Sequence, residues 1–459
     1  MKKLAILLFS LMFSVVIAQE DTTAVDKSNC DTWLSVSHEF VKAKNYKEAY
    51  PTWKKLHDQC PGFHKAIYVD GVKIYQWLMK NTDDEAKKKE YAEKMIRLYD
   101  ERVKYFPQEK AKALHMKGVM MVVNKVGTPE EIYEVLNEVF TNYPDQFTHP
   151  KAYLGLFKGL VSKYKKGDIT LDELFSKYDD LTEHLDAMME KLTKKMEALQ
   201  SKKETGELTS KESKKLKALE KNLPAMDKVY LLMDNELGDL GDCGTLVPFY
   251  SNNFEANKTD VKWLKRAANR LASKDCTKGQ LFKKIVEALH KLEPSATSAR
   301  FLAIRYKKEG NYSKALSYYR QALDLEKDPY NKAKILYSMA VMAKKQGNKP
   351  KARNLAREAL KYKPSMGPAY LLIASLYAAS ANECGNTKFE KTAIYWKAAE
   401  MARKAAAVDP TIKRKALSIA AEYEKRAPSK KDIFLEGMGG KLVKFDKCWV
   451  GGSVRVPSN

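Results

Sequence analysis

The 459-residue sequence lacks the residue groupings on which most catalytic and metal sites depend. Its seven histidines are scattered, and none belongs to a His-Glu-x-x-His pattern or another zinc signature. There is no Cys-x-x-Cys pair and no close cluster of cysteine and histidine, so we expect no zinc site. A Gly-x-Ser-x-Gly nucleophile elbow, a Walker phosphate loop and a dinucleotide fingerprint are missing as well. We therefore expect no enzymatic activity, no cofactor and no metal.

Long hydrophobic runs are confined to the start of the chain. Two lysines follow Met1, residues 4–18 are almost wholly apolar, and a polar stretch begins at Gln19. This order is typical of a secretory signal peptide, which we assign to residues 1–18 with cleavage after Ala18. No cysteine stands at the cleavage point, so a lipid anchor is not expected. No later segment is apolar for long enough to cross a membrane, so we expect an exported chain that is soluble or peripherally attached.

Acidic residues are scarce relative to basic ones. The chain has 82 Lys+Arg against 58 Asp+Glu, which gives a formal net charge of +24. Lysine predominates among the basic residues, and this favours solvated helical faces over a nucleic-acid-binding surface. Export argues further against a nucleic-acid partner, whereas an anionic lipid surface or acidic protein segments remain candidates.

The acidic pair Asp179-Asp180 is interpreted as a helix start, where carboxylates complement the helix dipole.

Six cysteines in an exported chain indicate disulfides, although six cysteines allow fifteen pairings. Cys30 precedes one helical pattern and Cys60 ends the next. Because the start of the first helix lies beside the end of the second in an antiparallel pair, we expect a Cys30–Cys60 bridge. Cys243 and Cys276 bracket another helix pair at a similar spacing. Elimination leaves Cys384 and Cys448, and free buried thiols are the alternative to all three bridges.

Two stretches of the chain are near-copies of each other, 37 residues apart. Glycine suits the turn between two helices, and alanine lets helices approach closely. One helical hairpin cannot bury its apolar face alone, so neighbouring hairpins must stack. An ordinary alanine-rich helical bundle is the alternative. The residue pairs that set the spacing are Gly310 and Gly347, Ala315 and Ala352, and Ala322 and Ala359.

This pattern resembles the tetratricopeptide repeat (TPR) family, whose unit has about 34 residues. The extra residues of this chain fit a longer loop around residues 328–330. The resemblance implies an all-α fold, a right-handed TPR-like solenoid of helical hairpins. Degenerate repeats of this kind are predicted over residues 28–165, and a C-terminal solenoid with a capping helix over residues 241–430.

The segment between the two repeat regions has a different pattern. Leucine and methionine recur every three or four residues on two arms, which indicates a long antiparallel helical hairpin at residues 166–240. We expect it to project from the repeats, and we expect Pro224 to kink or interrupt its second arm. Its lysine- and glutamate-rich tip is either simply solvated or a docking arm. Residues 431–459 lose the helical period and are predicted to form a small β-hairpin-like tail.

A second resemblance concerns the last half of the chain. It is similar to exported repeat proteins of the Bacteroidota cell envelope. The resemblance implies a periplasmic protein, either soluble or peripheral to the outer membrane, whose partners are proteins of the envelope. The segments that carry it are residues 368–373, Glu383-Cys384-Gly385, Tyr395-Trp396, Asp409-Pro410, Cys448-Trp449 and Val454-Arg455.

The TPR resemblance also implies where a ligand lies, namely along the first helices of successive repeats. The carried-over positions combine basic, aromatic and apolar side chains, which suits an extended acidic peptide or a C-terminal carboxylate. The alternative is that the lysines only solvate an exposed face. The asparagines that the carboxylate-clamp version of the family needs are absent there. The candidate positions are Arg300, Ile304, Lys307, Lys308, Lys334, Tyr337, Val341, Lys344, Lys345, Leu371 and Ser375.

Three functional hypotheses follow from this sequence. The first is a non-enzymatic periplasmic scaffold or adaptor that binds protein partners, in an outer-membrane or secretion assembly. The second is an envelope module that binds peptidoglycan, lipopolysaccharide or another glycan through its basic faces. The third is a holdase-type chaperone for secreted chains.

Overall fold

The computed structural model describes residues 27–458, so the predicted signal peptide lies outside the described residues. Within this span the chain forms twenty α-helices and one two-stranded sheet, which confirms the predicted all-α, TPR-like fold. It divides into two compact units. The N-terminal unit contains the described residues up to Thr128 and Val135–Phe147, and the C-terminal unit contains Pro129–Glu134 and the residues from Thr148 onward. The domain limits given above stay predictions.

The N-terminal unit is built from helical hairpins around aromatic side chains. The Trp53 indole is fully buried, and its Nε1 donates a hydrogen bond of 2.7 Å to the carbonyl of Ile67, which ties the second helix to the third. Short 3-10 helices at Pro107–Glu109 and Pro144–Gln146 follow the fourth and sixth helices. The helices are α1 (Lys27–Lys42), α2 (Tyr46–Gln59), α3 (Ala66–Lys80), α4 (Glu85–Tyr105), α5 (Lys110–Asn124) and α6 (Pro129–Asn142), whose first residues belong to the C-terminal unit.

The C-terminal unit continues with helices and ends in the sheet. Its helices are α7 (Pro150–Lys166), α8 (Leu171–Glu204), α9 (Ser210–Leu237), α10 (Cys243–Asn257), α11 (Val261–Ser273), α12 (Gln280–Leu292), α13 (Ala296–Lys308), α14 (Tyr312–Leu325), α15 (Pro329–Lys345), α16 (Lys349–Tyr362), α17 (Gly367–Ala378), α18 (Lys388–Val408), α19 (Lys413–Arg426) and α20 (Lys430–Leu435), with strands β1 (Leu442–Lys444) and β2 (Ser453–Arg455). Short 3-10 helices lie at Gly238–Gly241 and Ala381–Glu383.

The two near-copies fold into the hairpins α13/α14 and α15/α16, and their turns share the same glycine conformation and the same helix cap. Gly310 and Gly347 both have a φ of 77°, a left-handed conformation that glycine adopts without steric cost. The following residues, Asn311 and Asn348, both cap the second helix by accepting a backbone hydrogen bond of 3.1 Å. The alanines that mark the period in the sequence are fully buried where the helices meet.

The segment after α7 forms the predicted long hairpin, with α8 and α9 as its arms. Each arm begins with a capping box, Thr170 with Glu173 and Thr209 with Glu212. Of the two outcomes expected at Pro224, an interruption of the second arm is wrong, because α9 runs through Pro224 without a break, and a kink there stays a prediction. Buried seam residues flank the proline on both sides. Their packing compensates for the missing backbone hydrogen bond.

The end of the chain forms the predicted small hairpin. Strands β1 and β2 pair antiparallel, with Val443 opposite Val454, and both valines are buried. Cys448, between the strands, is bonded to Cys384, just before α18. The three cysteine pairs are those that the sequence predicted, with Cα–Cα distances of 6.1 Å for Cys30–Cys60, 5.5 Å for Cys243–Cys276 and 5.2 Å for Cys384–Cys448.

Close packing at glycine is testable in the N-terminal unit. A Cβ atom at Gly71 would lie 2.8 Å from Leu98 Cδ1 and would also collide with the buried ring of Trp53. We expect Gly71→Ala to lower the free energy of unfolding of this unit by about 1–3 kcal/mol, because an overpacked core must shift. Urea unfolding followed by near-ultraviolet circular dichroism measures the change. Gly62→Ala is the control, since its Cβ would lie at an ordinary 3.4 Å from Tyr105, and equal stability of both variants would contradict this packing.

Candidate partner-binding face

The candidate residues lie on the first helices of the C-terminal hairpins. We call the surface that α11, α13, α15 and α17 present the first-helix face. One side of each helix is closed against its second helix by small residues, such as Ala303 in α13 and Ala340 in α15, which are fully buried. The other side keeps larger residues partly accessible. Ile304, Tyr337 and Val341 are all half-buried there.

The structure separates the six basic residues among the eleven predicted positions into two groups at opposite ends of the first helices. We call the lysines at the C-terminal ends of α13 and α15 the basic end; they are Lys307, Lys308, Lys344 and Lys345. Arg300 and Lys334 lie in the N-terminal halves of the same helices, and both line a separate polar cavity. The apolar and aromatic positions and Ser375 are half-buried on the same helices and α17.

Positive charge at the basic end is only partly compensated. Burial lowers the pKa of Lys307, and the nearby charges of Lys345 and Lys308 lower it further, while Asp275 opposes them. Lys308 Nζ forms an ion pair of 2.5 Å with Asp275. Lys344 Nζ donates a hydrogen bond of 2.7 Å to Ser375 Oγ, which links α15 to α17. An anion placed here would therefore gain from several ammonium groups at once.

The other two basic candidates face the long hairpin. Arg300 Nη2 donates a long hydrogen bond of 3.4 Å to Asn269 Oδ1 on α11. Together with Lys334 it lines a cavity of about 280 Å³ to which α8 contributes Asp186. Burial lowers the pKa of Arg300, and the charge of Asp186 is among those that oppose this shift. Asp186 of α8 therefore lies beside this part of the first-helix face, where Arg300 is half-buried and Lys334 is exposed.

The expectation that the hairpin projects from the repeats is wrong along α8, because two arginines of α11 hold its first third and the distal Glu197 accepts a hydrogen bond from the backbone of Ser365. Arg270 is buried and donates to Asp179 at 2.5 Å, to the hydroxyl of Tyr250 at 2.9 Å and to the carbonyl of Phe175 at 2.7 Å. Arg266 forms ion pairs with Asp180 at 2.5 Å and Glu183 at 2.9 Å. Sequence reasoning missed both arginines, whose carboxylate partners on α8 lie more than 80 positions away.

The interpretation of Asp179-Asp180 as a helix start is also wrong. Both residues lie inside α8, more than one turn after it begins at Leu171. Burial raises the pKa of Asp179 to about 6, although Arg270 and Arg266 act in the opposite direction. These carboxylates therefore serve to hold α8 against α11. Among residues 27–458 no group of three or more histidine, cysteine, aspartate and glutamate side chains is arranged to hold a metal ion.

Comparison with known proteins places the similarity in part of the chain. No protein-family model matches this sequence. Photosystem I assembly protein Ycf3 of Cyanophora paradoxa is 31% identical over 99 residues, which cover 20% of this chain and 57% of that protein. The same protein of Cuscuta gronovii is 32% identical over 99 residues, with 59% of it covered, and that of Synechocystis sp. is 43% identical, with 57% covered. The match thus spans a little under three fifths of these relatives.

The solved structures similar to this chain include the crystal structure of yeast Tom70. The sequences are 15% identical, and the alignment covers 90% of this chain and 99% of that one with a TM-score of 0.31.

Across the described residues 27–458, no helix combines the length and the apolar character that a membrane crossing needs.

The role of Arg270 is testable by its removal. We expect Arg270→Met to lower the free energy of unfolding of the C-terminal unit by about 3–5 kcal/mol, because Asp179 would be left buried without its partner. Adding Asp179→Leu should restore part of this loss, since both charges are then gone. Urea unfolding monitored by circular dichroism measures both variants. Lys262→Met, on the exposed side of the same helix, is the control, and a loss no larger than that of the control would contradict a structural role for Arg270.

Proposed function

We propose that this protein is a non-enzymatic exported scaffold or adaptor, which binds protein partners of the cell envelope in an outer-membrane or secretion assembly. One observation carries the proposal. Four lysines gather at the basic end, where successive repeats place them beside half-buried apolar side chains. This combination of an accessible apolar strip and only partly compensated positive charge suits an acidic segment of another protein.

Binding at this face needs little reorganisation. The hairpins α13/α14 and α15/α16 have matching turns and caps, and the lysines of the basic end lie on folded helices in the structure without a partner. Ion pairs to Lys307 and Lys344 would fix the direction of the bound segment, and Tyr337, Val341 and Leu371 would bury its apolar side chains. Preorganisation of this kind reduces the entropy that association costs.

Export to the periplasm is part of the proposal. The predicted signal peptide and the three cysteine pairs both suit an oxidising compartment outside the cytoplasm. The resemblance of the C-terminal half to envelope proteins of the Bacteroidota supports the same location. An assembly role is also in line with the relatives, which are named as assembly proteins of photosystem I.

Charge reversal at the basic end tests the proposed face. We expect Lys307→Glu combined with Lys344→Glu to reduce capture of the partner at least tenfold, because two attractive contacts become repulsive. The measurement is crosslinked affinity capture from envelopes of the native organism, with the captured proteins quantified by mass spectrometry. Lys314→Glu with Lys351→Glu is the matched control, since these lysines are exposed at equivalent positions of the second helices α14 and α16.

The same experiment separates the three functional hypotheses. A stoichiometric envelope protein that is lost with the basic-end variant and kept with the control variant supports the scaffold. Recovery of glycan or lipid without a protein partner would overturn it. A broad set of unfolded clients would indicate a holdase, and equal capture by both variants would exclude the basic end as the binding surface.

A further inference from the structure

Helix α8 carries a row of acidic side chains along one face. Asp179, Glu183, Asp186, Glu190 and Glu197 are separated by three, four or seven residues, and at 3.6 residues per turn these steps return to the same side of a helix. We call this row the acidic stripe. It is distinct from the apolar seam through which α8 packs on α9.

The acidic stripe follows the first-helix face from one helix to the next. At its start, Asp179 and Glu183 bind Arg270 and Arg266 of α11. In the middle, Asp186 shares the polar cavity with Arg300 of α13 and Lys334 of α15. Asp179 and Glu183 thus meet positive charge from α11, and Asp186 lies near that of α13 and α15, while it also accepts a hydrogen bond from the hydroxyl of Tyr230 on α9.

Glu197 makes the most detailed contact at the far end of the stripe. Its Oε1 accepts a hydrogen bond of 3.0 Å from the backbone N–H of Ser365, and its Oε2 accepts one from the hydroxyl of Tyr330. The ammonium of Lys363 lies 5.3 Å from the centre of the Tyr330 ring. Burial lowers the pKa of Lys363, and the carboxylates of Glu197 and Glu190 are among the charges that oppose this. The backbone of the loop before α17 therefore binds the carboxylate of Glu197.

The distal half of the hairpin has an apolar core of its own. This core consists of residues of α8 and α9 and Leu208 from the turn between them. The contacts of Glu197 with the repeats, and those of Lys194 with Asp328 at 3.5 Å and with the Tyr330 ring at 4.7 Å, involve polar or charged groups. Such contacts are individually weak and screened by salt. The distal half can leave the repeats without exposing its core, whose members are Leu192, Met196, Leu199, Leu208, Leu216, Leu219 and Leu223.

We propose that α8 is an intramolecular ligand of the first-helix face, and that the partner which displaces its distal half carries an acidic helix with the same spacing of carboxylates. The proposal deepens the proposed function, because it assigns a partner chemistry to the same face. In this structure the chain's own helix lies beside the half of the face around Arg300, Lys334 and Tyr330. The basic end is the half that lies outside these contacts.

A synthetic peptide of residues 186–204 of this chain serves as the probe. The full-length protein with Glu190→Lys and Glu197→Lys should release its distal hairpin, and we expect it to bind the labelled peptide at least tenfold more tightly than the unaltered protein does. Fluorescence anisotropy at low salt measures the affinity. A peptide with Glu190→Gln and Glu197→Gln should bind at least tenfold more weakly than the native one, since it lacks the two distal carboxylates.

Hydrogen exchange of the Ser365 amide gives a second readout that needs no peptide. Because Glu197 accepts this N–H, we expect Glu197→Gln and the double lysine variant to exchange it at least threefold and tenfold faster, respectively. Glu207→Lys with Glu220→Lys is the matched control, with the same change in charge near the tip and on the other arm. It should leave both exchange and peptide affinity unchanged.

Two results would overturn the proposal. One is equal peptide affinity of the unaltered protein and the Glu190→Lys, Glu197→Lys variant, or no binding by either. The other is unchanged exchange of the Ser365 amide in both variants. Failure of envelope capture with an intact peptide response would instead overturn only the proposed envelope function, so the two failures are distinguishable.

Discussion

The close approach of helices at small side chains is the constraint on which the rest of this structure depends. Ala303 and Ala340 are fully buried and carry nothing beyond Cβ, so each first helix can lie directly against its second helix. Hairpins of that thickness stack in register, and their first helices come to lie in a row. The row turns lysines that are 37 residues apart in sequence, such as Lys307 and Lys344, into neighbours on one surface. The proposed partner-binding face is therefore a consequence of the packing.

Sequence reasoning predicted those parts of the fold that depend on the spacing of residues close together in the sequence. The turn glycines Gly310 and Gly347, the seam of the long hairpin and the cysteine pairs each depend on residues whose spacing directly reports their geometry. Pro224 shows the limit of local rules, because the seam on both sides of it outweighs the loss of one backbone hydrogen bond. Arg270 shows a second limit. Its bond to Asp179 joins residues 91 positions apart, and no local pattern reports such a contact.

The position of α8 could have been inferred more fully than it was. Sequence reasoning followed the apolar period of this helix and ignored the acidic residues, although they repeat with the same period on another face. Two periodic faces on one helix indicate two partners, here α9 and the first helices. The formal net charge of +24 does not reveal that α8 has an acidic face, because it sums the charges of acidic and basic surfaces over the whole chain. Arg266 and Arg270 are matched by the acidic stripe, whereas the basic end has Asp275 as its nearest counter-charge.

All three disulfides lie outside the two regular hairpins: Cys30–Cys60 in the aromatic N-terminal unit, Cys243–Cys276 around α10 and α11, and Cys384–Cys448 between α17 and the tail. A covalent link limits the unfolded chain and so stabilises the folded segments that it joins. Two of them also border the first-helix face, one beside α11 and one after α17. The distal hairpin has a core of its own and a polar contact at Glu197, and no disulfide joins it to the first-helix face. An external ligand can replace an internal one only if the binding surface stays in place and the internal helix can leave it. The first-helix face and the distal hairpin meet these two requirements.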